Sequence, residues 1–290
     1  MYDLILVDFS WIYNKYYYVA KVKPHIGNKE ERDIGEEVLD MLLRLFKLIR
    51  NSYPSSNVFL ILDPPTRSIK NFSLFKEYKQ NRNKEEKKEV YSPFKFVVEQ
   101  LYNKLDKKFT ILRAIGYEAD QVIAFLAEKY SNKNVLIFSG DKDLLQLTYY
   151  DNIDISDKYE KGTFLVKTDE EIFNKFKNNK GEDFTRISTN KRDILKYRVL
   201  KGDPSDNLPP VFPRIKDSEI VQIIKEYWVD NQEEGLSEQR IKDIIEDLNE
   251  DNPKLALKLN ENKDTWLNNY RIMNLYNLEG IKVKKVVKHG

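Results

Sequence analysis

The chain of 290 residues contains no cysteine. That absence excludes disulfides, thiolate metal sites and a thiol nucleophile. Histidine is almost as scarce, with only His25 and His289. A histidine-rich zinc centre is therefore excluded. No apolar run is long enough to span a membrane, and the first residues read as a buried strand without a signal-peptide pattern. The expectation is a soluble, intracellular protein with no membrane partner. Charge of one sign is lacking too: 49 Lys and Arg stand against 47 Asp and Glu, a net +2. Net charge alone thus points to no partner, and the distribution of charge matters more. Hydrophobic residues make up 41% of the chain, enough for a sizeable core in one large or two modest domains.

Short apolar runs alternate with amphipathic segments. Asp3 to Phe9, Asn57 to Leu62, Phe109 to Leu112 and Val135 to Ser139 read as buried strands. Between them, Trp11 to Ala20, Glu36 to Arg50, Phe94 to Leu105, Glu118 to Tyr130 and Lys142 to Leu147 read as helices. Continuous apolar strands separated by helices predict an α/β fold, with a mostly parallel central sheet covered on both faces. A hairpin is expected at 153–155 and 163–166, and nearly everything after Asp169 reads as helix. The expected division is an α/β core over 1–185, including a basic segment over 64–90, and a helical region over 186–290.

Eight carboxylates sit where predicted strands end or helices begin: Asp8, Asp63, Glu118, Asp120, Asp141, Asp143, Asp203 and Asp206. Asp8, Asp63 and Asp141 each follow a strand directly, so parallel strands would carry them to one edge of the sheet. Any one of them could be an ordinary helix cap. Acids from four strand ends on one edge are harder to explain by capping. Crowded carboxylates cannot all stay ionised without cations, and hard divalent ions with oxygen ligands are the natural solution.

The second constellation is Pro64 to Lys88. It holds eight Lys and Arg, including Arg67, Lys70, Lys76, Lys79 and Arg82, against three Glu. Phe72, Phe75 and Tyr78 interleave with the bases. A solvated basic helix with core aromatics is one reading. A segment tracking a phosphate backbone, with aromatic stacking, is the other.

Five elements occur in order: Leu6-Val7-Asp8-Phe9-Ser10, Tyr78-Lys79-Gln80-Asn81-Arg82, Tyr117-Glu118-Ala119-Asp120, Ser139-Gly140-Asp141-Lys142-Asp143 and Lys201-Gly202-Asp203-Pro204-Ser205-Asp206-Asn207. Together, over about residues 1–225, they resemble the 5′-nuclease superfamily of flap endonucleases, polymerase-associated 5′→3′ exonucleases and phage ribonuclease H-type enzymes. The resemblance implies a PIN/5′-nuclease-like core, an arch over the site, and a helix–turn–helix element gripping duplex DNA. It implies two Mg²⁺, replaceable by Mn²⁺, held by the eight carboxylates. One metal would generate hydroxide and both would stabilise the pentacovalent phosphate. Lys79 and Arg82 match the bases that meet the scissile phosphate, and Tyr78 matches a stacking residue. The implied substrates are DNA with a 5′ flap or end, or an RNA–DNA hybrid, cut by a monomer in the cytoplasm of a bacterial or phage-infected cell. Partners of the class of a polymerase, clamp or single-strand-binding protein fit this reading.

One departure stands out. After Asn207 the family continues with a glycine-rich hairpin, whereas here the run is Leu208-Pro209-Pro210-Val211-Phe212-Pro213-Arg214-Ile215-Lys216. Without glycine, backbone amides cannot approach a phosphate closely. Side-chain contacts from Arg214 and Lys216, with Lys201 upstream, are expected instead. The rival readings are a PIN-type ribonuclease and a non-catalytic branched-DNA-binding protein. The first lacks an arch and a second helical domain; the second predicts missing acids.

Overall fold

The structure, a computed structural model, describes residues 1–22, 33–65, 68–81, 84–105, 107–176, 190–229, 235–276 and 278–286, with the backbone alone for 69–70 and 84–89. The described chain divides into two compact units. The first comprises Met1–Ser68, Asn83–Thr168 and Leu275–Gly290; the second comprises Ile69–Arg82 and Asp169–Asn274. The boundary expected at 185/186 lies outside the described residues.

The first unit is built on a seven-stranded sheet of order β6-β5-β4-β1-β2-β3-β7. Strand β1 (Leu4–Asp8) lies at its centre, parallel to β2 (Asn57–Leu62) on one side and β4 (Val135–Phe138) on the other. All five residues of β1 are buried, as expected of a strand covered on both faces. Strand β3 (Phe109–Ala114) runs parallel to β2, and β5 (Ile153–Glu160) parallel to β4. The antiparallel edge strand β6 (Thr163–Val166) completes the expected hairpin.

Helix α1 (Phe9–Val22) starts directly at the end of β1. In α2 (Ile34–Ser52), Val38, Leu39, Leu42, Leu45, Phe46 and Ile49 recur at helical spacing, and all are buried. Each large side chain among them contributes about 1.5–3 kcal/mol through removal of apolar surface from water. Asp33 caps this helix, accepting the Gly35 N–H at 2.9 Å. Helix α4 (Lys84–Lys104) begins well before the expected Phe94 and runs through Pro93. Part of the basic segment is therefore helical, as is α3 (Ile69–Leu74) before it. Helix α5 (Ala119–Lys129) follows β3, and a 3₁₀ segment (Asp143–Tyr149) replaces the α-helix expected after β4. Strand β7 (Val283–Lys285) pairs antiparallel with β3 and has no strand-like apolar run in the sequence.

The second unit is helical. Its elements are α3, α6 (Asp169–Asn174), α7 (Asp193–Lys201), α8 (Asp217–Gln222), α9 (Glu238–Asp251), α10 (Pro253–Glu261) and α11 (Lys263–Met273). Helix α8 passes into a π turn, Ile223–Tyr227. Trp266 is fully buried and meets Trp228 edge-on, with ring centroids 5.4 Å apart. Among the described residues, no helix is long and apolar enough to cross a membrane.

Candidate active site

The acids of the first unit gather at the carboxyl ends of its parallel strands. Asp8 ends β1 and is buried. Its Oδ1 accepts the Trp11 N–H at 3.1 Å, and its Oδ2 accepts the Ser139 hydroxyl at 2.8 Å. Both bonds favour the carboxylate, yet its pKa is pushed up to about 7. Burial is the larger cause, followed by the charges of Asp63 and Asp141. The acids after β1, β2 and β4 thus share one electrostatic site.

Asp63 follows β2 and is exposed. Its Oδ1 accepts the Ala119 N–H at 2.9 Å, so it sits at the N-terminus of α5, where the helix dipole favours an anion. Glu118 and Asp120 flank that contact, both half-buried, and Gln121 returns its Oε1 to the Glu118 N–H at 3.1 Å. Asp141 Oδ1 accepts the Asp143 N–H at 2.9 Å, folding the Asp-Lys-Asp turn on itself.

Two supports were not legible beforehand. Ser139 donates to Asp8 and accepts the Asp141 N–H at 3.1 Å, so one hydroxyl links acids 133 positions apart. Gly140 lies under the Trp11 indole, where a Cβ would fall 2.5 Å from Nε1. Both Ser139 and Gly140 lie inside the motif over 139–143, but the sequence alone does not show what the hydroxyl bonds or why a side chain is excluded at 140.

In the second unit, the turn after α7 carries Asp203 and Asp206. Gly202 turns the chain at φ +73°, and a short bridge pairs Asp203 with Leu208. Asn269 of α11 is buried and donates to both Val199 O (3.0 Å) and Pro209 O (2.8 Å), holding the two ends of the turn. Asp203, one of the eight acids, makes local contacts in this turn. It caps the following 3₁₀ turn, accepting the Ser205 N–H at 2.9 Å and hydroxyl at 2.7 Å, and pairs with Arg198 at 2.6 Å. Burial pushes its pKa up, but the Ser205 and Arg198 contacts outweigh that and leave it lowered.

Lys79 docks on this turn. Its N–H donates to Asp206 O at 2.9 Å, and its Nζ lies 3.6 Å from Asp206 Oδ2. Asn81 Nδ2 donates to Pro204 O, and Asn207 Nδ2 to Glu77 O. Tyr78, expected to stack on substrate, is instead buried. Its hydroxyl donates to Asp206 Oδ2 at 3.2 Å, and its ring lies under Lys79 Nζ at 4.8 Å. Lys201 donates to Asp217 at 2.6 Å. Lys76, Arg214 and Lys216 are exposed. Arg67, Arg82 and the side chain of Lys70 lie outside the described residues.

Comparison with known proteins agrees with this architecture. Residues 3–177 match the model of the 5′-3′ exonuclease N-terminal resolvase-like domain. A 5′-3′ exonuclease of Buchnera aphidicola subsp. Schizaphis graminum is 28% identical over 235 residues, covering 77% of this chain and 70% of the relative. That of Aquifex aeolicus is 29% identical over 226 residues, covering 77% and 68%. The solved structure of the bacteriophage T5 5′-exonuclease with bound zinc superposes with a TM-score of 0.66 at 17% identity, over 94% of this chain and 89% of that one, a likeness of fold. On these grounds the chain belongs to the 5′-3′ exonuclease family and is a 5′ nuclease, an enzyme that hydrolyses phosphodiesters.

Proposed function

We propose that the protein is a divalent-metal-dependent, structure-specific nuclease acting at 5′ flaps or ends of DNA, or on RNA–DNA hybrids. The observation that carries this is the gathering of Asp8, Asp63 and Asp141 at one strand-end edge, where burial first, and the charges of Asp63 and Asp141 second, push the Asp8 pKa up to about 7. An all-oxygen donor set under that strain fits Mg²⁺ or Mn²⁺, because a bound cation removes the repulsion. Asp8, Asp63, Glu118, Asp120, Asp141 and Asp143, with Asp203 and Asp206 as the more distal acids, are the residues proposed to hold two such ions. When bound, the ions supply an ionised water and positive charge for the phosphate under attack. Ser139 and the Trp11 N–H orient Asp8, and the α5 N-terminus orients Asp63. Lys79 is proposed to meet the scissile phosphate, adding charge where negative charge develops. Its tether to Asp206 holds it ready in the free protein. Arg82 is assigned the same task. Asp203 is proposed to shape the turn and Asp206 to hold Lys79, with Arg214 and Lys216 gripping duplex backbone.

The test is cleavage of labelled flap, nicked and hybrid substrates. Hydrolysis should require Mg²⁺ or Mn²⁺ and stop in EDTA, with Ca²⁺ supporting binding but little turnover. Asp141→Asn should remove most cleavage and leave binding intact or tighter, since a carboxylate repelling phosphate is gone. Full activity in EDTA would end the metal reading; unchanged turnover in Asp141→Asn would reduce the acids to helix caps.

A further inference from the structure

The sheet edge beside Asp63 carries cations that neither the motifs nor the proposed chemistry uses. Strand β7 places Lys284 directly opposite Arg113 of β3. Directly opposed residues share a face of the sheet, and like charges in that position repel. Arg113 lies near the carboxyl end of β3, level with Leu62, the residue before Asp63. Its side chain is half-buried, and its Nε is buried without a hydrogen-bond partner. Burial lowers its pKa, opposed by the nearby Tyr91 and Asp63. Lys284 is exposed, as are Lys282 and Lys285, and residues 281–286 hold three lysines and no acid. Among the described residues, neither Arg113 nor Lys284 has an ion-pair partner.

A guanidinium with an idle buried N–H, facing a second cation, is an arrangement that an anion stabilises. The planar fork of arginine suits two oxygens of one phosphate, and a lysine beside it adds a point charge. The anion must also tolerate Asp63 close by, which a phosphate strand does when bound cations screen the acids. We propose that Arg113 and Lys284 form a phosphate-binding strip for the backbone of the substrate strand, flanking Asp63. The strip rests on the nuclease reading above and extends it: the returning strand β7 brings a second basic surface to the catalytic unit. The exposed Tyr91 ring (57%) beside Arg113 offers an apolar face to the same strand.

The experiment is binding of a fluorescent 5′-flap oligonucleotide in Ca²⁺, by anisotropy, over a range of salt concentrations. Each phosphate contact contributes roughly 0.7 to 0.9 to the log–log salt slope. Arg113→Gln with Lys284→Ala should therefore flatten the slope by about 1 to 2 and weaken binding by about 10-fold at moderate salt. Lys284→Ala alone changes only an exposed side chain, so folding is not at stake, and it should flatten the slope by about 0.7 to 0.9. Weaker binding with an unaltered slope, in either variant, would mean that no phosphate contact was lost and would overturn the strip. Failure of the unmodified protein to bind the flap would remove the nuclease reading itself, and the strip with it.

Discussion

At the scale of single residues, Asp8 links chemistry to stability. Its pKa is about 7 in the folded protein against an ordinary 3.8. Between those values the folded state holds a proton that the unfolded state has lost. The metal-free protein therefore loses stability as pH rises from about 4 to about 7. Asp8→Asn, which cannot ionise, should raise the melting temperature in EDTA by several degrees near pH 8 and hardly change it near pH 4, while removing activity. Thermal unfolding at the two pH values reads this directly; equal shifts at both would dissociate the effect from ionisation. Ser139 offers a second check. Ser139→Ala removes a hydrogen bond to a carboxylate, so Mn²⁺ affinity measured by calorimetry without substrate should fall roughly 10-fold or more, and Ser139→Thr should restore it. Asp8, Asp63 and Asp141 were readable in the sequence because strand endings announce themselves. Ser139 was not, because a hydroxyl's partners depend on which loops meet across more than a hundred residues.

At the scale of elements, the turn from Gly202 to Pro209 works without the glycine-rich hairpin of the family pattern. Its geometry comes from one glycine and one buried amide. A Cβ on Gly202 would lie 2.5 Å from the Pro209 carbonyl carbon, and φ is already positive. Gly202→Ala should cost more than about 1 kcal/mol and lower the melting temperature by several degrees. Cleavage should fall with it, since Lys79 is fastened to the same turn through Asp206. A variant with unchanged melting temperature would show that the turn yields freely. Helix α2 was legible as an amphipathic segment and the region of α9 and α10 as helical, whereas the caps Asp33, Ser237 and Asn252 are seen only in the structure. The start of α4 was not legible, because Pro93 reads as a helix boundary, whereas the helix runs through it. Tyr78 follows the core reading of the two that the sequence left open. Aromatics among bases suggest stacking, whereas here the ring is buried and its hydroxyl satisfies Asp206.

At the scale of the whole molecule, the proposed metal site predicts a stability that depends on divalent cations. An ion that binds only the folded state stabilises by about 2.7 kcal/mol at one hundred times its dissociation constant. Mg²⁺ or Mn²⁺ should therefore raise the melting temperature in a saturable way, and more so near pH 8 than near pH 5, because the proton on Asp8 competes with the metal. A pH-independent shift would mean that the cation binds elsewhere. The parallel sheet and its site edge were legible because buried strands are continuous apolar runs. Strand β7 was not: Val283-Lys284-Lys285 is too short and too polar to declare itself, and only the unpaired edge of β3 gives it a place. That strand has a consequence for the order of assembly. The nuclease sheet begins at residue 4 and receives its seventh strand at residue 283, with the entire helical unit threaded between. During synthesis the edge of β3 stays open until β7 emerges, so this side of the sheet is sealed only after the helical unit between them has been made.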